Sequence, residues 1–382
     1  MKRHITAPRN KWRQKVESLG FIFHTPDMPY WDESVYYTFT YAQIDVLERA
    51  TATLYDLCLK AAEYVIENRL YHKLLIPESF IPLIERSWEN EEPSIYGRFD
   101  LWYDGVNPPK LYEFNADTPT SLFEASIVQW FWLKDFEPDG DQFNSMHEKI
   151  IDYWKYVKPY LKQGILYFAC ARGSTEDFIT TEYLRDCAIQ AELDTAFLYM
   201  DEIGWNSVQQ CFTDLNEMPI QNIFKLYPYE WMWEEDFYPY LMQDKFQAYW
   251  IEPPWRIIWS CKGILPILWE LFHGHENLLP AYFENKHFYS QQYVRKPIYG
   301  REGANIAIIK DDQIILQNTG EYGEHGYIYQ AYQPLPNFSG NYPVTGSWVI
   351  GQEPAGMSIR ESDTLITTNS SRFVPHYILK WL

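Results

Sequence analysis

The chain has 382 residues, enough for roughly two or three packed domains on the usual length scale. Hydrophobic residues make up 46% and charged residues 22%, which excludes a disordered chain. With 52 Asp and Glu against 32 Lys and Arg, the net charge is −20, a field that repels nucleic acid and anionic membrane and excludes both as main partners. Such charge suits a cationic partner, a polyamine for example, but most of it is expected to be plain solvated surface. The 16 Trp and 31 Tyr are expected to fill the core and the seams between layers. Five cysteines without CxxC spacing indicate neither a disulfide framework nor a zinc site, and point to a reducing compartment. The basic N-terminus has no apolar stretch behind it and no run of about 18 apolar residues exists, so neither a signal peptide nor a membrane span is expected, and the cytoplasm follows.

Residues 1–40 are polar and then aromatic, and read as an arm packed on a domain surface. From 41 to 68, Ile44, Leu47, Leu54, Leu57, Ala61 and Val65 recur at helical steps, and 77–88 repeats the pattern more briefly. Two short strands follow, 98–103 and 111–115, joined by the turn-rich Asp104-Gly105-Val106-Asn107-Pro108-Pro109-Lys110. Alternation puts Arg98 with Asp100 on one face, and Glu113 with Asn115 on one face. If the strands pair, Asp100, Glu113 and Asn115 converge as oxygen ligands of the kind Mg²⁺ takes beside phosphate; a half-exposed hairpin with a wet polar face is the plain alternative.

Residues 122–133 read as a helix, which makes 115–121 a loop leading into it. That loop is either an anion site at a helix N-terminus or an ordinary cap made by Thr120 or Ser121. A helix over 143–160, a strand over 164–171, a helix over 174–191 whose first turn carries Glu176 and Asp177, and strands near 195–200 and 223–227 imply a small parallel α/β layer. The Gly164 strand is followed by Ala171-Arg172-Gly173-Ser174 rather than GxGxxG, so NAD is not expected. The run Glu234-Glu235-Asp236 is a solvated acidic face or an attractor for a polyammonium group. Lys262 precedes a helix that admits Pro266 only in its first turn. Lys296 ends a short strand, and Gly300, Arg301 and Gly303 lie in the loop that returns to the strand 306–309, a flap of the sort that closes over phosphates. Strands near 327–332, 342–351 and 356–360 belong to antiparallel sheet, with Arg360 at a strand end. The connecting loops are too short to be linkers, so the domains should be interleaved.

In order along the chain, RFD, YEFNADTPTSLFEA, the lysine before GILPILWELF, RKPIYGREGANI, IYQAY and IRE form a set that resembles the glutathionylspermidine synthetase family across nearly the whole chain. The resemblance implies an α/β (α+β) protein with an ATP-grasp fold of antiparallel sheets and a small Rossmann-like pre-ATP-grasp layer. It implies an N-terminal helical region over 1–95, the metal-binding hairpin and helix over 96–160, the small α/β region over 161–245, and the nucleotide-binding region with its flap over 246–382. Mg²⁺ ligands would be Asp100, Glu113 and Asn115. ATP would be held by Lys262, Lys296, Gly300 and Gly303, with Gln330, Ala331 and Tyr332 as the hinge that reads adenine. Arg98, Arg301 and Arg360 would be catalytic, and Arg98, Thr118, Thr120, Ser121 and Glu124 would meet the peptide substrate. The activity implied is ATP-dependent joining of a peptide carboxylate to a polyamine or other amine through an acyl phosphate; an ATP-binding homologue without turnover and a phosphotransferase are the alternatives. Ser121 stands where some members of the family carry cysteine, and the stretch before the first helix is too short for the amidase domain of bifunctional members, so amide hydrolysis is not expected.

Overall fold

A computed structural model describes residues 1–25, 29–288, 291–368 and 371–379. The sheet that carries the hairpin has five antiparallel strands in the order Arg372–Phe373, Glu353–Ser362, Tyr342–Ile350, Tyr96–Trp102 and Lys110–Asn115. Its two faces differ because alternation sends successive side chains to opposite sides. Phe99 and Phe114 stack at 3.9 Å on one face, Phe114 meets Trp259, and Ser347 on that side reaches the hydroxyl of Thr51 at 2.6 Å. Thr51 belongs to the 27-residue helix Tyr41–Glu67, which starts at a capping box between Thr40 and Gln43 and buries Ile44, Leu47, Leu54, Leu57, Ala61 and Val65. Each of the Ile, Leu and Val side chains among them contributes on the order of 1.5–3 kcal/mol by leaving water. The other face of the sheet carries Arg98, Asp100, Glu113 and Asn115.

A second antiparallel sheet runs Ala281–Tyr282, Tyr327–Ala331, Gln292–Pro297, Ala307–Lys310, Gln313–Gln317, so the flap does join two antiparallel neighbours. The α/β layer is a parallel sheet, Tyr249–Ile251, Asn222–Leu226, Leu166–Cys170, Thr195–Tyr199, with the helix Thr175–Gln190 as one crossover. Every residue of Leu166–Cys170 and of Asn222–Leu226 is buried, as befits strands covered on both faces. The mixed architecture expected from the sequence, antiparallel sheets beside a small parallel layer, is therefore present.

The arm expected on a domain surface is not one. Val35–Phe39 pairs with both Lys2–Ile5 and His376–Ile378, and Phe21, Trp31, Tyr37 and Phe39 are fully buried. Trp31 stacks on Phe373 at 5.5 Å, so the first forty residues help to close the core. Rings fill both large cores, with Trp132, Trp154 and Trp348 in one and Trp255 and Trp259 in the other. All five cysteines are free and buried. Among the described residues no helix is long and apolar enough to cross a membrane.

Candidate active site

The hairpin brings its polar residues together by register alone. Asp100 lies opposite Glu113 and Arg98 opposite Asn115, with a bulge after Asp100. Arg98 donates to Asp100 through Nε and Nη2 at 2.7 and 3.2 Å, and Asn115 Nδ2 donates to the same carboxylate at 3.0 Å. Glu113 faces Lys262 Nζ at 3.3 Å. Burial works against the charge on Glu113, but Lys262 and Lys296 outweigh it and hold the carboxyl below its ordinary range. Two carboxylates and an amide oxygen on adjacent strands fit a hard divalent cation. Among the described residues no group of three or more His, Cys, Asp or Glu could hold a metal ion.

Two lysines approach this side of the hairpin, Lys262 from the turn between the helices Ile257–Ser260 and Ile264–Leu271, and Lys296 from the second sheet. Lys262 donates to Gly300 O at 2.6 Å and so ties the root of the flap to Glu113. Lys296 donates to Tyr112 O at 2.8 Å and Gln330 to Leu111 O at 3.0 Å, which stitches that sheet to the second strand of the hairpin at consecutive carbonyls. Burial pulls Lys296 down to about 8, against the attraction of Glu113. Ala331 N–H donates to Pro280 O and Tyr332 N–H to Gln292 O, so both amides already have backbone partners. In the flap, Arg301 bonds the hydroxyl of Thr118 and, at 3.3 Å, Glu230, with its guanidinium 5.4 Å from the Trp231 ring. Gly303 has φ +70°, and a Cβ there would stand 2.2 Å from Thr367 O, so this position requires glycine. A cavity of about 50 Å³ opens among Glu113, Asn115, Thr118, Glu230, Lys262 and Arg301.

The loop after the hairpin is held from far along the chain. Arg256, 1% exposed, donates to Ala116 O at 2.7 Å, and Lys225, fully buried, donates to Asp117 at 2.8 Å. Arg98 Nη1 takes Thr120 O at 2.8 Å. Ser121 has φ +68°, strained for a residue with a side chain. Neither reading of Thr120 and Ser121 as caps holds: no side chain caps this helix, and the Ser121 hydroxyl turns instead to Tyr30 at 2.8 Å, Glu176 at 3.3 Å and Arg360 at 3.3 Å. Arg98 and Arg360, from two strands of one sheet, thus grip consecutive residues of the loop. Tyr30 also donates to Glu124 at 3.0 Å, and burial, with Glu176 beside it, pushes Glu124 up to about 7.

Glu124 sits in a π-turn, Glu124–Val128, that interrupts the expected helix. Gln129 N–H bonds Glu124 O rather than Ala125 O, and the side chain of Gln129 donates to the Ala125 carbonyl that this leaves over. His376 supports the same amide at 3.0 Å, its basicity pushed down to about 3 by burial. Such single turns recur at functional sites.

Of the residues singled out in the sequence, Arg98, Asp100, Glu113, Asn115, Lys262 and Lys296 converge around the hairpin, while Thr118 with Arg301, and Thr120, Ser121, Glu124 with Arg360, form two adjoining groups. Gly300 and Gly303 lie in the loop between Gln292–Pro297 and Ala307–Lys310, Gln330 and Ala331 end the strand Tyr327–Ala331, and Tyr332 follows it. Tyr30, Lys225, Glu230 and Arg256 escaped the sequence reading, because no local pattern marks them; Glu176 was visible only as one acid in a helix's first turn.

The chain matches the family described as glutathionylspermidine synthase preATP-grasp over residues 3–379. It is 38% identical over 381 residues to a protein of Haemophilus influenzae assigned as an acid–amine ligase, with 96% of each chain covered. It is 27% identical to a trypanothione synthetase of Crithidia fasciculata and 26% identical to a bifunctional glutathionylspermidine synthetase/amidase of Escherichia coli, covering 84% and 90% of this chain but spanning only 53% and 59% of those proteins. A glutathione synthetase-like effector of Globodera pallida shares the fold at TM-score 0.56 and 11% identity, with 98% of both chains covered.

Proposed function

Because the chain belongs to the glutathionylspermidine synthase preATP-grasp family, we propose that it is an ATP-dependent acid–amine ligase that joins a peptide carboxylate to a polyamine or other amine. A carboxylate is a poor electrophile at neutral pH. Transfer of the ATP γ-phosphoryl group makes an acyl phosphate, and an amine then attacks the carbonyl carbon and expels phosphate. The transfer crowds negative oxygens, so catalysis rests on fixed positive charge. Lys262 and Lys296 supply it to the phosphate chain, and Arg98 and Arg360 to the transferred phosphoryl group. Asp100, Glu113 and Asn115 would hold Mg²⁺, whose chemistry is to neutralise phosphate oxygens. Gly300 and Gly303 let the flap backbone lie close, Arg301 sits at its tip, and Gln330, Ala331 and Tyr332 form the adenine end. Thr118, Thr120, Ser121 and Glu124 face the peptide.

The observation that carries this reading is the shared face of the hairpin. Arg98 and Asn115 contact Asp100, Lys262 contacts Glu113, and Lys296 from the second sheet docks on the Tyr112 carbonyl beside them; a merely wet hairpin has no use for two lysines delivered from residues 262 and 296. The test is incubation with Mg·ATP and a panel of peptides and polyamines, following ADP and product mass. ADP release that needs both reactants is the expected result. Phosphorylated peptide without amide would make the protein a phosphotransferase, and nucleotide binding without turnover in every mixture would make it a silent homologue.

A further inference from the structure

Glu230 lies in the first turn of the short helix Tyr229–Met232, just beyond the carboxyl end of the parallel strand Asn222–Leu226. Ligands in α/β layers gather at that end of the strands. One carboxylate oxygen of Glu230 accepts from Arg301 at 3.3 Å. The other, Oε2, is buried without a hydrogen-bond partner among the described residues, and so is Nε of Arg301. Both residues line the cavity that also holds Glu113 and Lys262. An unpaired acceptor and an unpaired donor, each out of water, are costly unless a ligand completes them. The acceptor calls for a group rich in N–H, and the donor for an anionic oxygen, beside the same ion pair.

Resting on the ligase reading, we propose that Glu230 binds the ammonium group of the amine substrate and takes its first proton, while Arg301 faces the acyl phosphate. The ammonium R–NH₃⁺ gives one proton to the Glu230 carboxylate. The resulting amine forms the C–N bond as the C–O bond to phosphate breaks, and the second nitrogen proton leaves with the phosphate. Glu230 then returns its proton to water. Nothing is oxidised or reduced.

Glu230→Gln keeps the shape and the acceptor toward Arg301 but removes the base. Glutathione serves as the carboxylate probe, with spermidine or hydroxylamine as the nucleophile; hydroxylamine is largely neutral at neutral pH and needs no base. The expected result is spermidine ligation reduced about a hundredfold or more, with hydroxamate formation within about threefold of the unaltered protein. Equal ligation by both proteins would overturn the proposal. Parallel loss of ligation and hydroxamate would also overturn it, since Glu230 would then be structural. If the unaltered protein makes neither product, the ligase reading fails for glutathione, and calorimetry with spermidine and Mg·ATP decides Glu230 separately. Affinity about tenfold weaker in E230Q supports it, and equal affinity overturns it.

Discussion

The hairpin of residues 96–115 and the loop that follows it lie side by side in one site, yet they are made in different ways. In the hairpin, contacts such as Asn115 to Asp100 span 15 residues, and pairing plus alternation is enough to assemble them. In the loop, Arg360 reaches Ser121 across 239 residues, Tyr30 across 91, and Lys225 reaches Asp117 across 108. The hairpin is local geometry that acquires function from what docks on it. The loop has no geometry of its own, and its strained Ser121 and its π-turn persist only because buried partners from the rest of the chain hold them.

The largest test of that contrast is Lys225→Met. It leaves the buried Asp117 without its cation, with only the Tyr229 N–H at 3.2 Å, and should cost about 3–5 kcal/mol of stability, measured by denaturant unfolding. A loss below about 1 kcal/mol would mean that the loop stands without its distant anchor. Next, Asp100→Ala and Glu113→Ala should each lower turnover by about 3 kcal/mol in the transition state, on the order of a hundredfold in kcat, while melting stays within a few degrees. Full activity in both would remove the metal assignment and leave the hairpin a wet surface. Lys296→Ala should weaken ATP binding with a smaller effect on the fold, and unchanged nucleotide affinity in a fluorescence titration would take it out of the site. The smallest effect expected is one of pH. Glu124 is raised from 4.5 to about 7, so the folded protein holds a proton that the unfolded chain has lost between those values. Its contribution to stability is complete below about 4.5 and fades as pH rises through 7. Glu124→Gln should flatten that part of the stability profile, and an unaltered slope would show that Glu124 is ionised throughout.

Much of the hairpin's geometry is legible in the sequence. The alternation of Arg98 and Asp100 against Glu113 and Asn115, the lysine before Gly263, and the glycine-bearing loop after Lys296 are patterns a few residues wide. Secondary structure follows such short periods closely, which is why the helix Tyr41–Glu67 and the strand Leu166–Cys170 sit where the spacing puts them. The place of the arm is not legible in the sequence because aromatic residues mark burial without saying where; pairing with His376–Ile378 and the stack of Trp31 on Phe373 put it inside. Capping by Thr120 or Ser121 failed for a related reason: Tyr30 and Arg360 offer the Ser121 hydroxyl better partners than the backbone.

The sequence by itself therefore determined the elements and the chemistry of the hairpin face, because side-chain alternation is a property of neighbouring residues. Tertiary structure alone decided which oxygens and cations meet beyond it. Asp117 is paired, Glu124 is held protonated toward neutral pH, and Glu230 is left with one open oxygen, because burial and charge pairing depend on distance in space rather than along the chain.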